Sequence, residues 1–426
     1  MTSEPGLARR LGTTDAVVIG LGSMLGAGIF AAVTPAARAA GTGLLIGLAL
    51  AAAVAYCNAT SSAQLAAQYP ASGGSYLYGR ERLGPWWGFL AGWAFVVGKT
   101  ASCAAMALTF AAYAVPQPWE RPVAVAAVVA LVAVNYRGIT RTAHLTRLLL
   151  AVVLTALAVA VLASLSAGTA DPGRLTGWTD GPQGWYGVLQ SAGLLFFAFA
   201  GYARIATMGE EVRDPARTIP RAIPVALGIA VALYAVVAVT LLLVLGPTGI
   251  AGTATPLADA VAAGGWDWAS PLVRIGAAAA ALGALLGLVA GVGRTALAMG
   301  RTGDLPRPLA AVHPRFRVPH RAELAVGAVV CALVLTVDLR AVIGFSSFGV
   351  LLYYVVANLA AFTQPAEHRR WPRALQVAGA AGCLVLAATL PWPSVAAGAA
   401  TLAVGVALRA LRLRRHARRG PADRRA

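Results

Sequence analysis

Lysine is almost missing from this sequence. A single residue, Lys99, stands among 34 Lys and Arg together, and acidic residues number only 16 in 426. Charged residues make up 12% of the chain, about half the share typical of soluble domains, which argues against a soluble enzyme. The four cysteines (Cys57, Cys103, Cys331 and Cys383) all lie inside apolar stretches, so they supply no disulfide framework. The five histidines (His144, His313, His320, His368 and His416) fall outside those stretches. With no buried histidine, no carboxylate pair and no metal-ligand spacing, the sequence offers no catalytic cluster for an intramembrane enzyme and no cofactor or metal site. A cleavable leader is not expected, because the first apolar segment is too long and lacks a cleavage motif. No loop is long enough to bury a core of its own.

What fills the chain instead is apolar sequence, 58% of all residues. It divides into twelve segments near the ~20 residues that a bilayer-crossing helix requires. They run roughly 16–37, 42–68, 86–115, 121–136, 145–167, 185–208, 222–246, 270–297, 322–338, 340–363, 374–391 and 393–411. The expected fold is all-α and polytopic. Residues 1–15 form an N-terminal segment, 16–363 a core of ten spans, 364–411 the last two spans and 412–426 a basic tail. The net charge of +18 tempts a nucleic-acid reading, but the arginines gather in every second loop and in the tail from Arg409 to Arg425. That alternation is the positive-inside pattern, and it puts both termini in the cytoplasm. No nucleic-acid partner is expected. The tail can meet anionic lipid heads, although a topological anchor explains it equally well. The excess of Ala, Gly and Arg reads as a high-GC bacterial bias rather than a functional signal; the expected location is the bacterial inner membrane.

Two segments depart from plain apolar helix. The first holds Gly22-Ser-Met-Leu-Gly26-Ala-Gly28-Ile-Phe30. Glycines at this density suit a broken helix whose backbone lines a cavity or is buried in protein. Amides freed at such a break attract an anion, so a carboxylate cradle at membrane depth is one reading. Close helix packing through small residues is the other. The sixth segment repeats the anomaly: Phe196-Phe-Ala-Phe-Ala-Gly-Tyr202 is followed closely by Arg204 and the pair Glu210-Glu211. Interrupted spans in corresponding positions point to an inverted repeat with a midplane site. A repeat of five spans gives the two halves opposite orientation.

These marks resemble the amino acid–polyamine–organocation (APC) transporters. The first-span glycines carry the resemblance together with Pro70-Ala-Ser-Gly-Gly-Ser-Tyr-Leu-Tyr78, Asn135-Tyr-Arg-Gly138, Gly209-Glu-Glu-Val-Arg-Asp-Pro215 with Ile219-Pro-Arg221, and Arg294 through Pro306. They fall in order across about residues 12 to 363. The resemblance implies a five-plus-five inverted repeat with spans one and six unwound around the substrate, plus two C-terminal helices. By position, the amides of Gly26, Ala27 and Gly28 would hold an amino acid carboxylate. The carbonyls of Met24, Phe197 and Ala200 would accept from its α-ammonium, and Phe197 stands at an aromatic gate position. Glu210, Glu211 and Arg213 are cytoplasmic gate or scaffold candidates. The chain departs from many relatives at Ala203, where an acidic residue is common, at Val153-Leu154, where a lysine occurs in some proton-coupled members, and at Gln64, often a glutamate.

Lys99 lies mid-span. From Pro85 it is fourteen helical steps, about 21 Å at 1.5 Å per residue, too deep for its stem to reach water easily. A cation there costs several kcal/mol or more, so it has to be neutral, paired or facing a wet cavity. No Asp, Glu or His falls near mid-depth in the other spans. By resemblance this position faces the substrate cavity. Three roles are open: a proton carrier, a sensor of the substrate side chain, or static support for freed carbonyls of span one or eight. Sodium coupling fits less well, because hard cations want oxygen ligands and Pro271 to Gly293 contains no Ser, Thr, Asn or Asp.

The expected function is secondary transport of amino acids across the cell membrane by alternating access, coupled to protons, with a neutral or acidic substrate. Exchange of amino acids or polyamines is the alternative, and a non-transporting nutrient sensor is a further one. The sequence does not set the oligomeric state.

Overall fold

The computed structural model describes residues 11–71, 73–138, 143–166, 168–177, 183–209 and 211–418. Those residues are helical almost throughout. In chain order the helices are α1 (Thr13–Met24), α2 (Ala27–Ala31), α3 (Val33–Ala40), α4 (Leu44–Gln68), α5 (Ser75–Leu83) and α6 (Pro85–Ala114). Next come α7 (Glu120–Tyr136), α8 (Ala143–Ser166), α9 (Gly184–Phe199), α10 (Ala203–Ala206), α11 (Pro215–Gly252) and α12 (Pro256–Ala263). The last are α13 (Ser270–Arg301), α14 (His320–Thr336), α15 (Leu339–Phe362), α16 (Arg373–Thr389) and α17 (Trp392–Arg418).

Nine helical stretches among the described residues are long and apolar enough to cross a membrane. Helices α7, α14 and α16 are 17 residues each, about 26 Å at the helical rise and therefore at the short end of what a hydrocarbon core needs. The sequence's count of twelve rests on these three. Local chemistry sets several boundaries. Pro85 opens α6, where its missing N–H is no loss. The Asp338 carboxylate accepts from the Ala341 amide at 2.8 Å and caps α15. Helix α11 kinks at Gly246, with φ 68°, immediately before Pro247, because the ring of a proline pushes its predecessor out of the α region.

Helix α6 runs through the middle of the bundle and packs most extensively on α13 and α15, while α4 packs on α9 and α11 and α1 packs on α11 and α8. A buried polar knot joins α4, α15 and α16. Asn358 Nδ2 donates to Asn58 Oδ1 at 2.6 Å, Ser61 Oγ donates to Asn358 Oδ1 at 2.7 Å, and Asn58 Nδ2 lies 3.2 Å from Cys383 Sγ. Satisfying each polar group against another is what lets them stay inside an apolar bundle.

Candidate functional site

Both anomalous segments are broken helices. Between α1 and α2 the backbone leaves helical geometry at Gly26, with ψ −138°. Between α9 and α10 it tightens into one 3₁₀ turn, Ala200–Tyr202. The breaks meet. A Cβ on Gly201 would stand 2.4 Å from the Ser23 carbonyl carbon, and one on Gly28 would stand 2.6 Å from Ala198 Cα. Only glycine permits backbones that close. A Cβ on Gly26 would meet Ala284 of α13 at 2.6 Å. Met24, Gly28, Ala198 and Ala200 are thus gathered at one crossing. Phe197 is buried in α9 beside it, and Ala27 opens α2.

A helix break inside a bilayer frees carbonyl groups that must find donors within the protein. Two side chains supply them at the breaks, and two more serve carbonyls just beyond, in α2 and at the end of α10. The Tyr234 hydroxyl, from α11, lies 2.6 Å from the Met24 carbonyl oxygen and 3.0 Å from that of Ala198, bridging the two breaks. Tyr113 donates to Phe30 O at 3.3 Å, and Tyr78 donates to Ala206 O at 3.2 Å. The fourth donor is Lys99, whose Nζ lies 3.3 Å from the Ala200 carbonyl oxygen. Lys99 is 6% exposed. Among the described residues no carboxylate is paired with it. The acceptor belongs to span six, whereas the static reading of the sequence looked to spans one and eight. A small cleft remains on the α4 and α11 side, lined by Gly28, Leu44, Leu48, Leu195, Ala198 and Tyr234.

The breaks are closed off at both ends. At the arginine-rich end Leu11 bridges to Val212 in parallel: Leu11 N donates to Glu211 O at 3.1 Å, and Arg213 N donates to Leu11 O at 2.8 Å. Glu211 also lies 3.8 Å from Arg204, and Arg147 pairs with Asp15. Of the gate candidates, Glu211 and Arg213 therefore meet Leu11, both through their backbones. Glu210 lies outside the described residues. At the opposite end Thr34 Oγ1 donates to Thr253 O at 3.0 Å, and Arg38 Nε donates to Ala251 O at 2.6 Å.

Sequence reasoning passed over Tyr234, although a tyrosine deep in an apolar span carries a hydroxyl that has to find a partner. It also passed over Asp304. That carboxylate, in the turn after α13, lies 3.1 Å from Arg409 and 3.6 Å from Arg80, and accepts from Tyr76 at 2.9 Å. Arg409 itself stacks 4.7 Å from both Trp86 and Phe89. The sequence had counted Arg409 only as the first residue of a topological charge run.

A family model described as amino acid permease matches residues 11–409. The chain belongs to the amino acid permease family. The APC signatures read from the sequence are those of this family, and its members are transporters. A protein of Mycobacterium tuberculosis, described as an uncharacterized transporter, is 64% identical over 401 residues, 94% of this chain and 90% of its own length. The branched-chain amino acid permease BcaP of Bacillus subtilis is 26% identical over 98% of this chain and 96% of its own. The human cationic amino acid transporter 4 is 30% identical over 83% of this chain and 59% of its own. This permease therefore shares its length with bacterial relatives and covers part of a longer human one.

Proposed function

We propose that this permease carries amino acids across the cell membrane by alternating access, with the site at the crossing of the broken spans and with protons as the coupling ion. The observation that carries this reading is the meeting of α1–α2 with α9–α10 beside a buried Lys99. Twelve spans in a five-plus-five inverted repeat, both termini cytoplasmic, and a carboxylate held by the Gly26, Ala27 and Gly28 amides complete the reading. Met24, Phe197 and Ala200 would offer carbonyls to the amino group. Lys99 is the coupling candidate, as the ionisable side chain buried beside the crossing. Glu210, Glu211 and Arg213 would belong to the cytoplasmic gate.

Lys99 also supports a neutral or acidic side chain on the substrate, because one more cation beyond the substrate's own amino group would add repulsion in the same desolvated place. Branched-chain amino acids, named for the Bacillus relative, fit that class better than the cationic ones named for the human relative. The test is uptake of a labelled amino acid panel into proteoliposomes under a proton gradient, under a sodium gradient, or with unlabelled amino acid inside. Concentrative uptake driven by the proton gradient is expected, and Gly28→Leu should abolish it by filling the crossing. Uptake that needs internal substrate would make the protein an exchanger. Silence across the panel from folded protein would sink the transport reading.

A further inference from the structure

The carbonyls at the two breaks and just beyond them are answered by three tyrosines and one lysine, and the lysine is the outlier. Tyr234, Tyr113 and Tyr78 bring an apolar ring and a neutral hydroxyl, which suits permanent burial. An amine at mid-depth is far more expensive than a phenol. It sits on a flexible four-carbon stem with several rotatable donors. A phenol held in a packed ring slot stays where it is, whereas a lysine nitrogen can swing away. Its acceptor is not arbitrary either. Ala200 lies in the single 3₁₀ turn that interrupts span six, and its oxygen is 3.3 Å from Lys99 Nζ. This is one of the carbonyls assigned above to the substrate's own amino group.

We propose that Lys99 is a tethered stand-in for the substrate amino group: it fills the Ala200 acceptor when the carrier is empty and yields it when an amino acid binds. The inference rests on the site assignment under Proposed function. Its consequence is kinetic. A carrier whose empty site leaves a buried carbonyl unpaired meets a desolvation penalty on closing, so it returns slowly and works as an exchanger. A carrier that supplies its own amine closes empty as readily as loaded. As ammonium or as amine the nitrogen keeps an N–H for the carbonyl, so the stand-in role holds in either protonation state.

The experiment works at equal pH on both sides, so that loss of proton drive is not read as loss of the stand-in. It compares net uptake down the amino acid's own gradient into vesicles lacking amino acid with exchange into vesicles preloaded with it. It uses wild type, Lys99→Met and Lys99→Arg, each checked for folding by thermal unfolding in detergent. Methionine matches the length and apolar stem but has no donor; arginine restores N–H groups. The ratio of net uptake to exchange should fall at least tenfold in Lys99→Met and stay within about threefold of wild type in Lys99→Arg. A ratio unchanged in Lys99→Met overturns the inference. Net uptake and exchange falling together in folded Lys99→Met also overturns it, since that is the signature of static support. A wild-type protein that moves no amino acid in either mode removes the site assignment itself, and the stand-in with it.

Discussion

Gly201 and Tyr234 decide how close the two breaks can come and what satisfies them. Gly201→Ala places a Cβ 2.4 Å from the Ser23 backbone, and backbone cannot rotate away as a side-chain tip can. Overpacking of this kind costs about 1–3 kcal/mol. We expect a lowered thermal midpoint in detergent and at least a tenfold loss of uptake; full activity would show that the crossing is looser than described. Tyr234→Phe keeps the ring and deletes the hydroxyl shared by Met24 O and Ala198 O. Leaving buried carbonyls unpaired costs about 1–3 kcal/mol. A destabilised but folded variant is expected, measured by the same thermal unfolding, whereas an unchanged midpoint would mean that water replaces the hydroxyl.

Helix α17 carries a run of arginines that reads as topology in the sequence, yet its Arg409 is an attachment point in the fold. Arg409 reaches back to Asp304, donates to the Pro85 carbonyl at 2.7 Å and lies over Trp86 and Phe89. The side chains of Arg409 and Asp304 are 8% and 6% exposed, so the pair is buried rather than screened. Removing one member of a buried pair costs about 3–5 kcal/mol, because the other charge is left behind, while replacing both can be nearly neutral. Asp304→Ala should therefore lower the thermal midpoint more than Asp304→Ala combined with Arg409→Met. Additive losses in the double variant would show that the two residues act independently.

Across the whole molecule, the closed ends are what the proposed alternating access would have to open. The Leu11–Val212 bridge ties the backbone at Leu11 to the segment after span six. Adjacent strands lie about 4.8 Å apart, within reach of a disulfide's geometry. Leu11→Cys with Val212→Cys should cross-link under mild oxidation and stop uptake, and reductant should restore it; the native cysteines are buried except the half-buried Cys331. Transport at full rate by cross-linked protein would show that this end does not part during the cycle.

The sequence by itself determined that the chain is a bundle of apolar helices, that spans one and six are interrupted, and that one lysine is stranded at depth. Each follows from local composition: a bilayer-crossing helix has to be long and apolar, glycine clusters break it, and a lone cation in an apolar run is visible without knowing its neighbours. It also carried the family, since five short motifs fall in order along the chain. Only the tertiary structure decided which carbonyl Lys99 meets, that Tyr234 serves both breaks, and that Arg409 belongs to Asp304. Those pairings join residues 101, 210 and 105 positions apart. Nothing in a helix's own pattern records which distant helix will lie against it, and that choice is made by packing.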